Sequence, residues 1–282
     1  MSTETRTRLG ILGGTGGMGS LFARIYGGAG WEVSVRGRTG HEPMATFLSR
    51  QDVVMVSVPI DATLGVIAAV APHLRPDQLL CDLTSLKAAP VEAMRRSAAP
   101  CVGLHPIFGP GLDSIAGQTV VITPATATEG EYGPLLEVLE AAGARLAFTT
   151  PEHHDELMAV VQGLAHALSL VLAGTVRELG ADLDELLEFT SPVYRIEFGL
   201  VGRLLAQDPA LYGPILRRNP NVPAVLAAAR TALEELADAV DDPGPGSFVR
   251  LFEEDAALFA SHGAAATAET DRLIRCLAEP ER

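Results

Sequence analysis

The chain has 282 residues, 48% of them apolar, which is enough for two ordinary domains with cores of their own and no need of disulfide or metal staples. Its 21 basic and 35 acidic residues give a formal charge of −14, and no basic block interrupts the acidic background. Nucleic acid is therefore disfavoured as a partner, and an anionic small molecule would need a local cationic pocket. The three cysteines, Cys81, Cys101 and Cys276, lie far apart without a CxxC pair, a pattern that fits a reducing compartment and gives no metal-site spacing.

The residues from Met1 to Arg8 are polar and run directly into an apolar segment, so no charged-then-apolar leader is expected and the chain reads as cytoplasmic. From Arg8 to about Thr150, short β-branched runs at Leu9–Leu12, Glu32–Val35, Val53–Val58, Gln78–Leu83, Cys101–Leu104 and Thr119–Thr123 alternate with amphipathic stretches. This rhythm predicts parallel strands with crossover helices. Thr150 followed by Pro151 reads as an N-cap with proline at the first helical position, and beyond it the pattern is helical throughout. Leu157–Val176 has the length of a membrane span, but Gln162, His166 and Ser169 interrupt it, so a buried helix and no membrane are expected. Further helices are predicted over 192–206, 222–241 and 247–277, separated by Asp208-Pro209, Asn219-Pro220 and the cluster from Asp241 to Gly246. The boundary is placed near residue 150, giving domains 1–150 and 151–282. All-helical second domains commonly bury apolar faces between subunits, so a homodimer is expected.

Gly14-Thr15-Gly16-Gly17-Met18-Gly19 fits GxGxxG directly after the first strand and ahead of a helical pattern. Gly14 suits the tight turn, Gly16 lets the backbone approach a pyrophosphate, and Gly19 lets the helix pack on the strand. The fold class is thus an α/β Rossmann-type dinucleotide-binding domain followed by an all-α C-terminal dimerisation domain. NAD sites place an acid at the end of the second strand, whereas here Glu32 lies at the start and Arg36-Gly37-Arg38-Thr39 at the end. Guanidiniums at Arg36 and Arg38 favour NADP over NAD.

Two segments fall where strands end, Asp82–Lys87 and Gly103-Leu104-His105-Pro106-Ile107-Phe108-Gly109-Pro110, and ligands of open α/β sheets sit beyond such ends. Lys87 is the one lysine among the 21 basic residues. Gln162 and His166 are four apart and share a face of an α-helix.

Together with the glycine loop, these segments resemble the prephenate dehydrogenase family. So do Ser57-Val58-Pro59-Ile60, Glu152-His153-His154-Asp155, Tyr194-Arg195, and Val201-Gly202-Arg203-Leu204 with Gln207-Asp208-Pro209. The likeness runs in order from about residue 8 to 260, with departures at the Arg36–Arg38 loop and in the lack of a fused chorismate mutase or C-terminal regulatory domain. The resemblance implies oxidative decarboxylation of a small anionic cyclohexadienyl substrate: prephenate, arogenate or 4-amino-4-deoxyprephenate. It implies His105 as the base that takes the proton of the ring C4 hydroxyl, Ser85 as its support, and Lys87 as positive charge near the substrate. It also assigns Arg203 as the clamp on a substrate carboxylate, with Arg195, His166 and Gln162 lining the pocket, and Ser57 and Pro59 beside the cofactor with Gly14 to Gly19. His154 and Asp155 read as helix-capping support. Two competing readings are weaker: a non-catalytic redox sensor has no use for His105, Lys87 and Arg203 together, and a β-hydroxyacid dehydrogenase resembles its relatives through a lysine after the first domain, where this chain has none.

Overall fold

The computed structural model describes residues 6–39 and 42–278. The chain forms two compact units, Met1–Ala159 with Gly213–Pro220, and Val160–Tyr212 with Asn221–Arg282.

The first unit is built on a sheet of seven strands among the described residues: β1 Arg8–Leu12, β2 Glu32–Arg36, β3 Val53–Val56, β4 Leu79–Asp82, β5 Cys101–Pro106, β6 Thr119–Pro124 and β7 Arg145–Phe148, in the order β2-β1-β3-β4-β5-β6-β7. Helices α1 Gly17–Gly28, α2 Met44–Ser49, α3 Ile60–Val70, α4 Ala88–Met94 and α5 Glu129–Ala141 connect them. Alternate strand residues serve opposite faces. Leu9, Ile11, Met55, Cys81, Val102 and Leu104 join Phe22 and Tyr26 on one side, while Leu12, Val54, Val56, Leu80 and Cys101 join Leu48, Ile67 and Met94 on the other. Burial on both faces is why these strands read as continuous apolar runs rather than alternating ones.

The predicted all-parallel arrangement needs correction at one ladder. β6 runs antiparallel to β5, pairing His105 with Val121 and Pro106 with Val120. A parallel neighbour requires a crossover, usually a helix, and the residues between β5 and β6 form none, so the chain turns back along β5 instead. β7 was not predicted: Arg145–Phe148 is short and half exposed, and its extended form comes from its ladder with β6.

The strand order reverses at β1, which has β2 on one side and β3 on the other, and the crevice at such a switch point is where open α/β sheets bind ligands. There the main chain is stitched tightly: Gly13 N donates to Arg36 O at 2.8 Å, and Ser57 N donates to Leu12 O at 2.8 Å. Gly13, not Gly14, takes the left-handed turn, with φ of 81°, and a Cβ on it would lie 2.0 Å from Ser57 O. At Gly14 a Cβ would strike Val35, and at Gly19 it would strike Gly13 O at 2.6 Å, the close helix-on-strand packing that the motif predicts.

From Thr150 on, the described chain is helical; the helix Pro151–Met158 and the end of the helix Pro209–Arg218 belong to the first unit and the other helices to the second. Thr150 Oγ1 accepts from His153 N at 3.2 Å and Pro151 opens α6 Pro151–Met158, the predicted cap. A π turn, Ala159–Leu164, leads into α7 Ala165–Glu178, followed by α8 Leu183–Glu188, α9 Pro192–Leu205, α10 Pro209–Arg218 and α11 Val222–Asp241. The helix predicted over 247–277 is two, α12 Gly246–Phe259 and α13 Gly263–Ala278, broken ahead of Gly263. By length and composition the run Pro151–Glu178 could cross a membrane, with a mean hydropathy of 1.8 over its apolar window. Only 17% of that window is buried, so the expectation of a buried helix fails within one chain. The packing explains why: α7 lies mainly on α9, and a helix with one main neighbour hides one stripe and leaves Leu168, Val171 and their like exposed.

Gly13 gives a direct test of the switch-point geometry. Gly13→Ala places a side chain in the left-handed region, at roughly 1–2 kcal/mol, and adds a clash with the Ser57 carbonyl. Urea unfolding should show a loss of about 2 kcal/mol or more, and calorimetric titration should show dinucleotide affinity reduced at least about tenfold.

Candidate active site

The C-terminal ends of β1, β3, β4 and β5 are neighbours in the sheet, so the glycine loop, Ser57–Pro59, Asp82–Lys87 and His105 share one edge. Helix α1 starts at Gly17 after the N-cap Gly16, with no side-chain cap and no acidic residue in its first turn. Its first N–H groups thus offer the partial positive charge of a helix N-terminus to an anion. Thr15, Gly16 and Gly17 are exposed, while Met18 packs partly against the core and so contributes main chain rather than side chain. The loop after β2 lies against the glycine loop: a Cβ on Gly37 would be 3.0 Å from Thr15 Oγ1. The Arg36 guanidinium stands 5.9 Å from the Phe47 ring centroid, a cation–π contact, and Arg38 is exposed. This cradle of bare main chain with cations beside it fits a dinucleotide. Among the described residues no group of three or more His, Cys, Asp or Glu is arranged to hold a metal.

His105 closes β5 and is buried, 2% exposed. Its Nδ1 lies 2.8 Å from His154 Nε2, and His154 Nδ1 lies 2.8 Å from Asp155 Oδ1. Asp155 is fixed in turn by two main-chain donors at the start of α4, Lys87 N to Oδ1 at 2.8 Å and Ala88 N to Oδ2 at 3.0 Å. A carboxylate only accepts, so His154 carries its proton on Nδ1 and accepts at Nε2. His105 then donates from Nδ1, and the lone pair of its ring is placed on Nε2. The chain of bonds therefore selects the tautomer in which Nε2 is the proton-accepting nitrogen. Burial holds His105 well below the usual histidine range, and the charges of His154 and Lys87 act in the same direction. His154 is also lowered by burial, with the hydrogen bond to Asp155 opposing. Both imidazoles are neutral at neutral pH.

Lys87 does not stand where the resemblance puts it. Its side chain is fully buried, with Nζ 2.5 Å from Asp82 Oδ2 and donating to Leu104 O at 2.8 Å. Burial pulls its ammonium down and the Asp82 carboxylate pulls it up. An ammonium committed to a buried carboxylate is not open to a substrate. Its work is local: it ties the end of β4 to the carbonyl that precedes His105. Ser85 is half-buried in the same loop.

In the second unit, Gln162 lies on the π turn and His166 at the start of α7, so the α-helical spacing that pairs them does not hold across both. The His166 ring meets Tyr212 edge-on with centroids 4.9 Å apart, and burial lowers its pKa. Arg195 and Arg203 are both exposed on α9, eight residues or about 80° apart around the helix. Three participants escaped the sequence analysis: Gly13, Asp82 as the partner of Lys87, and the His154–Asp155 pair as a relay. Asp155 does cap a helix, but that helix is α4, 67 residues away in the chain. The adjacent His153-His154-Asp155 run was the available signal.

The family model described as prephenate dehydrogenase, nucleotide-binding domain, matches residues 38–148, and that described as prephenate dehydrogenase, dimerization domain, matches residues 150–254. A probable arogenate/prephenate dehydrogenase of Methanocaldococcus jannaschii is 32% identical over 97% of this chain, which spans 66% of that relative's length. A 4-amino-4-deoxyprephenate dehydrogenase of Streptomyces pristinaespiralis is 30% identical over 90% of this chain and 92% of its own. Among solved structures, prephenate dehydrogenase from A. aeolicus, in complex with hydroxyphenyl propionate and NAD+, superposes with a TM-score of 0.73 at 21% identity, covering 95% of this chain and 100% of that one, which speaks for the fold alone.

The buried histidines give a pH dependence with a definite sign. Their folded pKa values lie below the unfolded value of about 6.5, so the unfolded chain binds more protons as pH falls, and the stability present above pH 6.5 is lost on acidification. Each histidine contributes a slope of up to about 1.4 kcal/mol per pH unit in that window. Urea unfolding between pH 7.5 and 5.5 should show the decline, and His105→Asn should flatten it. The two family domains cover most of the chain from the arginine loop to α12, and on that ground the chain belongs to the prephenate dehydrogenase family of oxidoreductases.

Proposed function

We propose that the chain catalyses the NAD(P)-dependent oxidative decarboxylation of prephenate or a close cyclohexadienyl analogue, giving 4-hydroxyphenylpyruvate if the substrate is prephenate. The observation that carries the reading is the His105–His154–Asp155 chain at the same sheet edge as the glycine loop. A nicotinamide bound there supplies the hydride acceptor. His105 Nε2 takes the proton of the C4 hydroxyl as the C4–H bond breaks, and the imidazolium that forms is stabilised through His154 by Asp155. The bond from the ring to its carboxylate then breaks and CO2 leaves; its electron pair completes the aromatic ring and passes to the C4 oxygen, which takes back the proton from His105. Ser85 supports the hydroxyl, while Lys87 acts by holding the main chain before His105. Arg203 clamps a substrate carboxylate through its planar fork, with Arg195, His166 and Gln162 lining the pocket. A sensor without turnover would have no use for a tautomer-selecting chain of buried groups.

A second substrate reading, 4-amino-4-deoxyprephenate, draws support from the relative of that name that is 30% identical over nine-tenths of both chains. Arogenate is the third. For the cofactor, Arg38 with Arg36 and the missing acid at the end of β2 favour the 2′-phosphate of NADP; Gly14 to Gly19, Ser57 and Pro59 hold the rest. The exposed apolar residues of the helical unit, among them Leu179, Phe189, Leu258 and Phe259 at 66–82% exposure, favour a homodimer through the region that matches the dimerization domain.

Steady-state assays of the three substrates, each with NAD and NADP, test both choices. Turnover of at least one with a preference for NADP is expected; turnover of none overturns the activity, and a tenfold or greater preference for NAD overturns the cofactor choice. His105→Asn keeps a hydrogen bond but cannot take the proton, so kcat should fall roughly 10²–10⁴-fold with cofactor affinity unchanged. A variant that retains more than about a tenth of wild-type turnover would remove His105 from the role of base.

A further inference from the structure

The segment Gly213–Pro220 packs with the first unit although the residues on both sides of it belong to the second. Pro214 and Ile215 are buried, and Arg218 Nε donates to Asp61 Oδ1 at 2.8 Å. The innermost attachment is Asn219, 2% exposed, whose Nδ2 donates to the main-chain carbonyl of Asp155 at 2.7 Å. That carbonyl already accepts the N–H of Ala159, so the amide uses its second lone pair. Ala159 is also where the helix passes from α to π geometry, a place at which the main-chain direction is not fixed by α-helical bonding alone.

We infer that Asn219 is a positioning residue for the reaction: by holding the main chain of Asp155 it keeps the carboxylate between the start of α4 and His154, and so keeps the acceptor nitrogen of His105 aimed. Side-chain bonds on Asp155 fix where the carboxylate points; the Asn219 bond fixes where the residue itself sits. An error in its placement passes along two hydrogen bonds to His105. Misplacement of a catalytic group by about 1 Å is worth on the order of 10² in rate. The inference rests on the reading of His105 as base.

The test uses the full-length protein with the substrate and cofactor that the assays above identify. Asn219→Ala removes the bond, and Asn219→Leu removes it while keeping the number and branching of the side-chain heavy atoms; in both, the Asp155 carbonyl keeps its bond from Ala159. The expected result is a fall in kcat of about 10–100-fold, with substrate KM and cofactor Kd within about threefold of wild type. In an Asp155→Asn background, where the relay is already broken, Asn219→Leu should cost less than about a further threefold, because groups that act as one unit are not additive. Imidazole 15N spectra should show His105 and His154 as single Nδ1–H tautomers in the wild type and as mixtures in Asn219→Leu. The inference is overturned if both variants keep kcat within twofold, if the losses at Asn219 and Asp155 multiply in full, or if kcat falls while both tautomers stay fixed. The base reading fails separately, when His105→Asn remains active; an inactive His105→Asn beside a fully active Asn219→Leu sinks this inference alone.

Discussion

Burying a carboxylate costs several kcal/mol unless donors surround it, and Asp155, 3% exposed, meets this condition with three donors drawn from two parts of the chain. The first turn of α4 gives two main-chain N–H groups, whose helix-terminal partial charge also favours an anion, and His154 gives the third. The same contacts join α6 to α4, and through His154 they join α6 to the end of β5. One charge therefore fixes a helix start, a helix-to-helix contact and the tautomer of the proposed base. Removing it would leave three donors buried without an acceptor, so its structural and chemical roles cannot be separated by deletion alone.

Topology explains why these parts meet. In a parallel sheet every strand delivers its C-terminal end to the same edge, and β1, β3, β4 and β5 do so side by side. The turn back at β6 then ends the parallel series one strand beyond His105, so β5 is the last strand to present a loop at that edge before the direction changes. Lys87 takes its place in this scheme as a tie-bar. Its ammonium spans from Asp82 at the end of β4 to the Leu104 carbonyl in β5, reinforcing the two strand ends at the last pair of their ladder, Asp82 with Gly103. A lysine suits the task because its compact head on a flexible stem can be buried with a single carboxylate, whereas a guanidinium with five donors would leave several unpaired.

The sheet and its dinucleotide loop were legible because they depend on local rules: β-branched runs form strands, proline opens helices, and glycine is needed where main chain approaches main chain. Even there the motif assigned the tight turn one residue late, since φ of 81° at Gly13 is set by the closeness of the Ser57 carbonyl, 44 residues on. The antiparallel strand was missed because direction depends on whether a crossover helix forms, and strand composition carries no sign of it. The relay was missed for a related reason. His105, His154 and Asp155 are ordinary residues in ordinary local settings, and only the packing of α6 on α4 brings them into line. The helical unit was legible in its helices and misjudged in its burial, because hydropathy marks which faces avoid water and not which neighbour covers them.

Charge draws the remaining constraint. The chain carries a net −14, and its one lysine is fully buried against Asp82, so that ammonium is not available to an anionic ligand at the β4–β5 edge of the sheet. At His105 itself the electrostatics oppose added positive charge, since burial and the nearby Lys87 both keep the imidazole neutral. That suits a base, which must start unprotonated, but it leaves carboxylate recognition to other groups. Arginine is the residue for it: the guanidinium stays charged under desolvation and matches a carboxylate with two parallel bonds. In a chain whose remaining 20 basic residues are all arginine, Arg195 and Arg203 on α9 bring two such forks onto one helix, at opposite ends of its length. In the proposed reaction the physics favours a division of labour: burial keeps the imidazole of His105 neutral, and an anion is better held by guanidiniums than by added positive charge beside that ring.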